Sequence, residues 1–154
     1  MARSEDIDLL YDLLEDLEET VDGKQKLKDC TGYMDWPDRG VYVFFAPDEY
    51  RGSGDQLRVT RIGTHAVSEG SSTSLWNRLR THRGAKRGTY EGGGNHRGSV
   101  FRKRVGEAFV ERENLHEEYP HWGKGSSAKR ERRLDELEME QRVSDYLRDL
   151  PFLW

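Results

Sequence analysis

The chain has 154 residues, of which 34% are hydrophobic and 35% charged, with a formal net charge of −4 at pH 7. That length accommodates one domain with a thin core under a heavily charged surface. The single cysteine, Cys30, excludes a disulfide framework and a cysteine-based zinc site, no apolar run approaches a membrane span, and the acidic start is unlike a signal peptide, so a cytoplasmic protein is expected.

Residues 4–21 place Ile7, Leu10, Leu13, Leu14, Leu17 and Val21 at helical spacing among Asp and Glu, which predicts an acidic amphipathic helix lying against one side of the domain. Asp22 and Gly23 end it, closing an N-terminal unit over residues 1–22. Residues 24–38, with Tyr33, Trp36 and Pro37, read as an irregular connector. Residues 40–46 are apolar on both faces, as a central strand requires. A turn-rich stretch, 47–55, leads into a second strand over 57–63, and an antiparallel hairpin is the simplest connection. Strict alternation would put Leu57, Val59 and Arg61 on one face of it.

Ser71, Ser72, Thr73 and Ser74 offer N-caps for a helix from Leu75 to about Arg83. The glycine-rich residues 84–98 form a loop, and 99–110 resume a helical pattern on Phe101, Val105, Ala108 and Phe109. Residues 111–127 are polar and read as a flexible insertion. A charged helix over 129–150 turns Leu134, Leu137, Val143, Tyr146 and Leu147 to the core and stops at Pro151. The final Phe152-Leu153-Trp154 reads as a strand cut short. Together these elements describe an α+β fold: a small antiparallel or mixed sheet of about three strands flanked by helices, over residues 39–154, preceded by the N-terminal helix.

Charge is segregated along the chain. Between Leu75 and Arg104 stand Arg78, Arg80, Arg83, Lys86, Arg87, Arg97, Arg102, Lys103 and Arg104, opposed by Glu91 alone. Such a run either attracts phosphate, with steep salt dependence, or forms a solvated face. Arg78 and His82 are four residues apart and share a helix face; one offers a planar fork for phosphate oxygens, the other a proton carrier near neutral pH. Arg61 lies just before Gly63 at the mouth of the sheet, where a guanidinium faces something anionic. Tyr42 sits in the central strand, where a tyrosine needs at least a partner for its hydroxyl.

Gly40-Val41-Tyr42 and Arg61-Ile62-Gly63, followed by a helix with Arg78 and His82, resemble the GIY-YIG nuclease superfamily across residues 39–110. The runs 61–66, 75–84 and 94–102 are similar to one prokaryotic subgroup of GIY-YIG nuclease family proteins. The resemblance implies hydrolysis of phosphodiester bonds in DNA with one divalent ion, Mg or Mn. It assigns Tyr42 to water activation, Arg78 to charge on the scissile phosphate, and His82 to proton transfer. His65, Arg80, Arg83, Asn95, His96, Arg97 and Arg102 become candidates for nucleic-acid contact.

Two positions depart from the pattern. Arg61 replaces the tyrosine of the second motif, exchanging a hydroxyl for a further phosphate contact. The family's metal-binding glutamate lies on a helix after the third strand, which places it beyond Trp154 if residues 152–154 begin that strand; Glu107, Glu138 and Glu140 are the candidates within the chain. The alternative reading is a degenerate domain of the same fold that binds nucleic acid without cutting it.

Overall fold

The computed structural model describes residues 2–70 and 73–154. Helices Ala2–Thr20 (α1), Leu75–Arg83 (α2), Val100–Glu113 (α3), Arg130–Asp135 (α4) and Leu137–Asp149 (α5) pack around strands Gln25–Lys26 (β1), Gly40–Tyr50 (β2), Leu57–His65 (β3) and Pro151–Leu153 (β4). The sheet is antiparallel throughout, in the order β1-β4-β2-β3. The class is the α+β one expected, with four strands rather than about three. The extra strand, β1, is two residues of the presumed connector, too short for any periodicity to show. Residues 152–153 do form a strand, inserted between β1 and β2: Phe152 lies opposite both Gln25 and Phe44.

β2 is central, as its two apolar faces require, and the faces serve different layers. Tyr42 and Phe44 face α2, α3 and α5 in a core with Leu75, Leu79, Phe101, Met139, Val143 and Phe152. Val43, Phe45 and Leu153 face α1, which covers them with Leu14, Leu10 and Leu17. The expected amphipathic helix is therefore present, but its buried stripe runs through Tyr11 and Leu14, while Ile7 and Leu13 are exposed.

A β-bulge decides which layer Arg61 joins. Phe44 pairs with Arg61, yet Phe45 pairs with Val59, so Thr60 is an extra residue in β3 and alternation breaks there. Val59 and Leu57 go to the α1 side with Phe45. Arg61 goes to the other, its guanidinium 6.0 Å over the Phe101 ring. The single face expected for Leu57, Val59 and Arg61 is thereby corrected. The ladder irregularity is met from outside the sheet: the Val59 N–H donates to the Tyr11 hydroxyl at 2.9 Å.

Two further expectations are revised. The helix over 129–150 is interrupted at Glu136, and its buried face is Met139, Val143, Leu147 and Leu150 with the polar Glu140 and Ser144; Leu134 and Tyr146 are exposed. Residues 111–127 are packed rather than a loose insertion. Trp122 is 7% exposed, its Nε1–H donates to the Lys103 carbonyl at 3.0 Å, and its ring occupies the space that any Cβ at Gly106 would need. Of the four N-cap candidates, Ser74 takes the position, while Ser71 and Ser72 lie outside the described residues.

Replacing Tyr11 by Phe leaves the Val59 N–H without its acceptor. The expected cost is about 1–2 kcal/mol in urea unfolding. Tyr33→Phe, at a residue 99% exposed, changes the midpoint by nothing measurable.

Candidate active site

Tyr42 and Gly63 are directly opposed across the β2–β3 pair. Gly63 has no side chain, so the Tyr42 ring lies over its Cα; a Cβ there would overlap the phenol carbon and its hydroxyl. The hydroxyl reaches His82 of α2, with 2.8 Å between Oη and Nε2. On the far side of the ring, His82 Nδ1 is 2.7 Å from Ser99 Oγ. Ser99 is the N-cap of α3 and already accepts the Arg102 N–H at 3.2 Å. Tyr42, His82 and Ser99 are each no more than 1% exposed. Their hydroxyls and the imidazole form a continuous line of hydrogen bonds with two proton arrangements: Tyr42 donates to Nε2 while Nδ1–H donates to Ser99, or Ser99 donates to Nδ1 while Nε2–H donates to Tyr42.

Arginines surround this line. Burial, then the positive charges of Arg78, Arg61 and Arg102, lower His82 to about 3, so the imidazole is neutral at physiological pH. Arg78 leaves α2 on the face of His82 and lines a cavity of about 350 Å³ together with Lys103, Ser99 and Val100 at the start of α3. That cavity combines a guanidinium, an ammonium and a helix N-terminus, all suited to an anion. Arg61 lies over Phe101, whose ring packs edge-to-face on His82, and its Nε is buried without a hydrogen-bond partner among the described residues. The structure thus brings Tyr42, Arg61, Arg78 and His82 together. It adds Ser99 and Lys103, which sequence reasoning missed as site residues; the serine before a helical run at Phe101 was readable as an N-cap but not as a partner for a histidine seventeen residues earlier.

The other basic candidates divide. Arg102 is fully buried and engaged: its Nη1 donates to the His82 carbonyl at 2.8 Å, and Nε and Nη2 donate to the Glu140 carboxylate at 3.0 and 2.6 Å. His96 is 1% exposed, stacked 3.9 Å from Trp122, with Nδ1–H donating to Glu140 and Nε2 accepting the Gly123 N–H. Arg97 holds Glu136 through both terminal nitrogens, at 2.6 and 2.9 Å, and its side chain is 1% exposed. Asn95 accepts the Arg97 N–H and shapes the turn. Buried carboxylates engage the donors of all three; His96 and Arg97 nevertheless line the cavity of Arg78, while Arg102 is enclosed behind it. Arg83 lies over Trp76, 4.8 Å from its ring, and is partly buried. Arg80 is exposed, and His65 bonds Thr73 at the end of β3.

A family model described as the GIY-YIG domain matches residues 1–154. The chain belongs to the GIY-YIG family. Comparisons with curated proteins and with solved structures bring no match. In GIY-YIG terms, the strand pair carrying the two tripeptides and the helix carrying the arginine are all in place. Family members are generally nucleases that use a divalent ion, and the described carboxylates do not fit one. No three metal-ligating side chains converge among the described residues. Both Glu140 oxygens are taken by His96 and Arg102, and Glu107 pairs with Lys103 and Arg104. Glu138 is exposed on α5.

Burial opposes charge on Glu140, but hydrogen bonds from His96 and the charge of Arg102 outweigh it and hold its carboxyl below the ordinary range. Glu140→Gln leaves Arg102 buried beside an uncharged amide and should cost about 3–5 kcal/mol in chemical denaturation. His82 gives a pH signature. Unfolded, it takes up a proton below about 6.5; folded, it stays neutral to about 3, so stability falls as pH drops through that interval. Urea midpoints compared at pH 7 and 5 should fall less for His82→Gln than for the parent chain.

Proposed function

We propose that the chain hydrolyses phosphodiester bonds in DNA, with Tyr42 and Arg78 as its catalytic residues. The observation that carries this reading is the Tyr42–His82–Ser99 line set between two arginines. A phosphate drawn to Arg78 and Lys103 would meet the cavity at Ser99, the end of the line that continues through His82 to Tyr42, and its negative charge would oppose the arginine field that keeps His82 from accepting a proton. Tyr42 then passes its proton to His82 Nε2 as it takes one from the attacking water. Water oxygen bonds to phosphorus, the bond to the leaving oxygen breaks, and Arg78 with Arg61 meets the charge that builds on the phosphoryl oxygens. The proton on His82 returns through Tyr42 to the leaving oxygen. Arg61 in place of a second-motif tyrosine shifts this site toward phosphate binding.

A cytoplasmic setting belongs to the same proposal. Among the described residues no helix is long and apolar enough to cross a membrane. Cys30 is buried, and burial raises its thiol to about 11, which suits a structural cysteine.

The ion pairs that engage Glu107 and Glu140 within the chain favour a second reading, in which the domain binds nucleic acid without cutting it. Cleavage assays on supercoiled and linear DNA with added Mg or Mn separate the two. Arg78→Ala should lower the rate by about 10²–10³-fold, and Tyr42→Phe by about 10²-fold or more. Salt-sensitive binding with no cleavage by the parent chain would establish the binding reading.

A further inference from the structure

A second cavity, of about 390 Å³, opens between β3, α3 and α5, with Arg61 in its lining. Its volume falls within the range of sites that hold small organic groups. The wall is aromatic: Phe101 lies at its inner end, with Phe109 and Tyr146 in edge-to-face contact at 5.9 Å toward the outside. Arg61, Arg104 and Arg112 join Thr60, Val105 and Ala108 in the rest of the lining, and none of the described carboxylates belongs to it. Arg104 and Arg112 hold Glu107 and Glu113 outside the cavity, through exposed pairs that a phosphate readily replaces. Arg61, whose Nε is buried without a partner among the described residues, brings a third guanidinium to the lining.

The exposed Tyr146 ring and the guanidinium groups of Arg112 and Arg142 that lie over Phe109 offer faces on which a nucleobase stacks, and the same guanidinium groups offer charge to its phosphate. The inner end is also close to the candidate chemistry, since the Phe101 ring packs edge-to-face on His82 at 5.7 Å. We propose that this cavity is a nucleotide subsite, taking one base lifted out of the helical stack beside the phosphate held at Arg78. The proposal rests on the nuclease reading and names its substrate class: DNA with an unpaired nucleotide, such as a flap, rather than continuous duplex. A fully paired substrate must first pay the unstacking of that base.

The test uses the full chain in EDTA, so that binding is read without cleavage. Fluorescence anisotropy compares a fluorescein-labelled 20-base-pair duplex with the same duplex carrying a five-thymidine flap. The parent chain should bind the flapped DNA about tenfold more tightly, the worth of one base stacked on aromatic side chains. Ala108→Trp fills the cavity from an exposed position of α3 and should abolish the preference while leaving duplex binding unchanged. Arg112→Gln, at an exposed position of α3, should reduce the preference as well. Equal affinity of the parent chain for both DNAs, or a preference that survives both substitutions, overturns the subsite alone. Failure to bind either DNA overturns the nuclease reading and the subsite with it.

Discussion

One buried carboxylate organises the site. Glu140 is 3% exposed on α5, and a charge taken from water at that depth has to be met by donors from the chain itself. The donors come from His96 in the glycine-rich loop and Arg102 on α3. Arg102 in turn gives its remaining nitrogen to the carbonyl of His82, at the end of α2. Three helices and a loop are thereby locked around one charge. The position of the His82 ring between Tyr42 and Ser99 follows from that lock. The interaction is worth more as a positional constraint than as net stability, because removing either partner strands the other.

The bulge in β3 is the second constraint, and it acts on the sheet rather than the helices. One extra residue at Thr60 sends Val59 to the α1 layer and Arg61 to the site. Tyr11 accepts the N–H of Val59, and Arg51 pairs with Asp8 while Gln56 bonds Glu15. The acidic N-terminal helix is therefore fastened to the hairpin that carries Arg61. An element remote from the chemistry supports the residue that departs from the family's second motif.

Basic residues concentrated in one stretch of sequence fall into two groups in space. Arg102 and Arg97 are engaged by Glu140 and Glu136, Arg97 at the edge of a cavity, while Arg78 and Lys103 line that cavity with Arg78 held by no carboxylate among the described residues. No count of charges separates these groups, because burial and the approach of a carboxylate from a distant helix make the difference. The same applies to His96 and His82, both buried: one is satisfied by Glu140 and a backbone N–H, the other by two hydroxyls in a line that leads to the strand pair.

By itself the sequence determined the local elements and the set of candidate groups. Apolar runs marked β2 as central, helical spacing placed Arg78 and His82 on one face of α2, and the two tripeptides with that helix pointed to the GIY-YIG family. Such features depend on neighbours within a few residues, so they are written in spacing. Tertiary structure alone decided that Arg61 turns toward Phe101, that Ser99 closes the line through His82, and that Glu140 removes Arg102 and His96 from the surface. Each of those outcomes depends on partners seventeen to forty-four positions apart or on a one-residue slip in register. Contacts of that range are set by how the layers pack, and no local pattern records them.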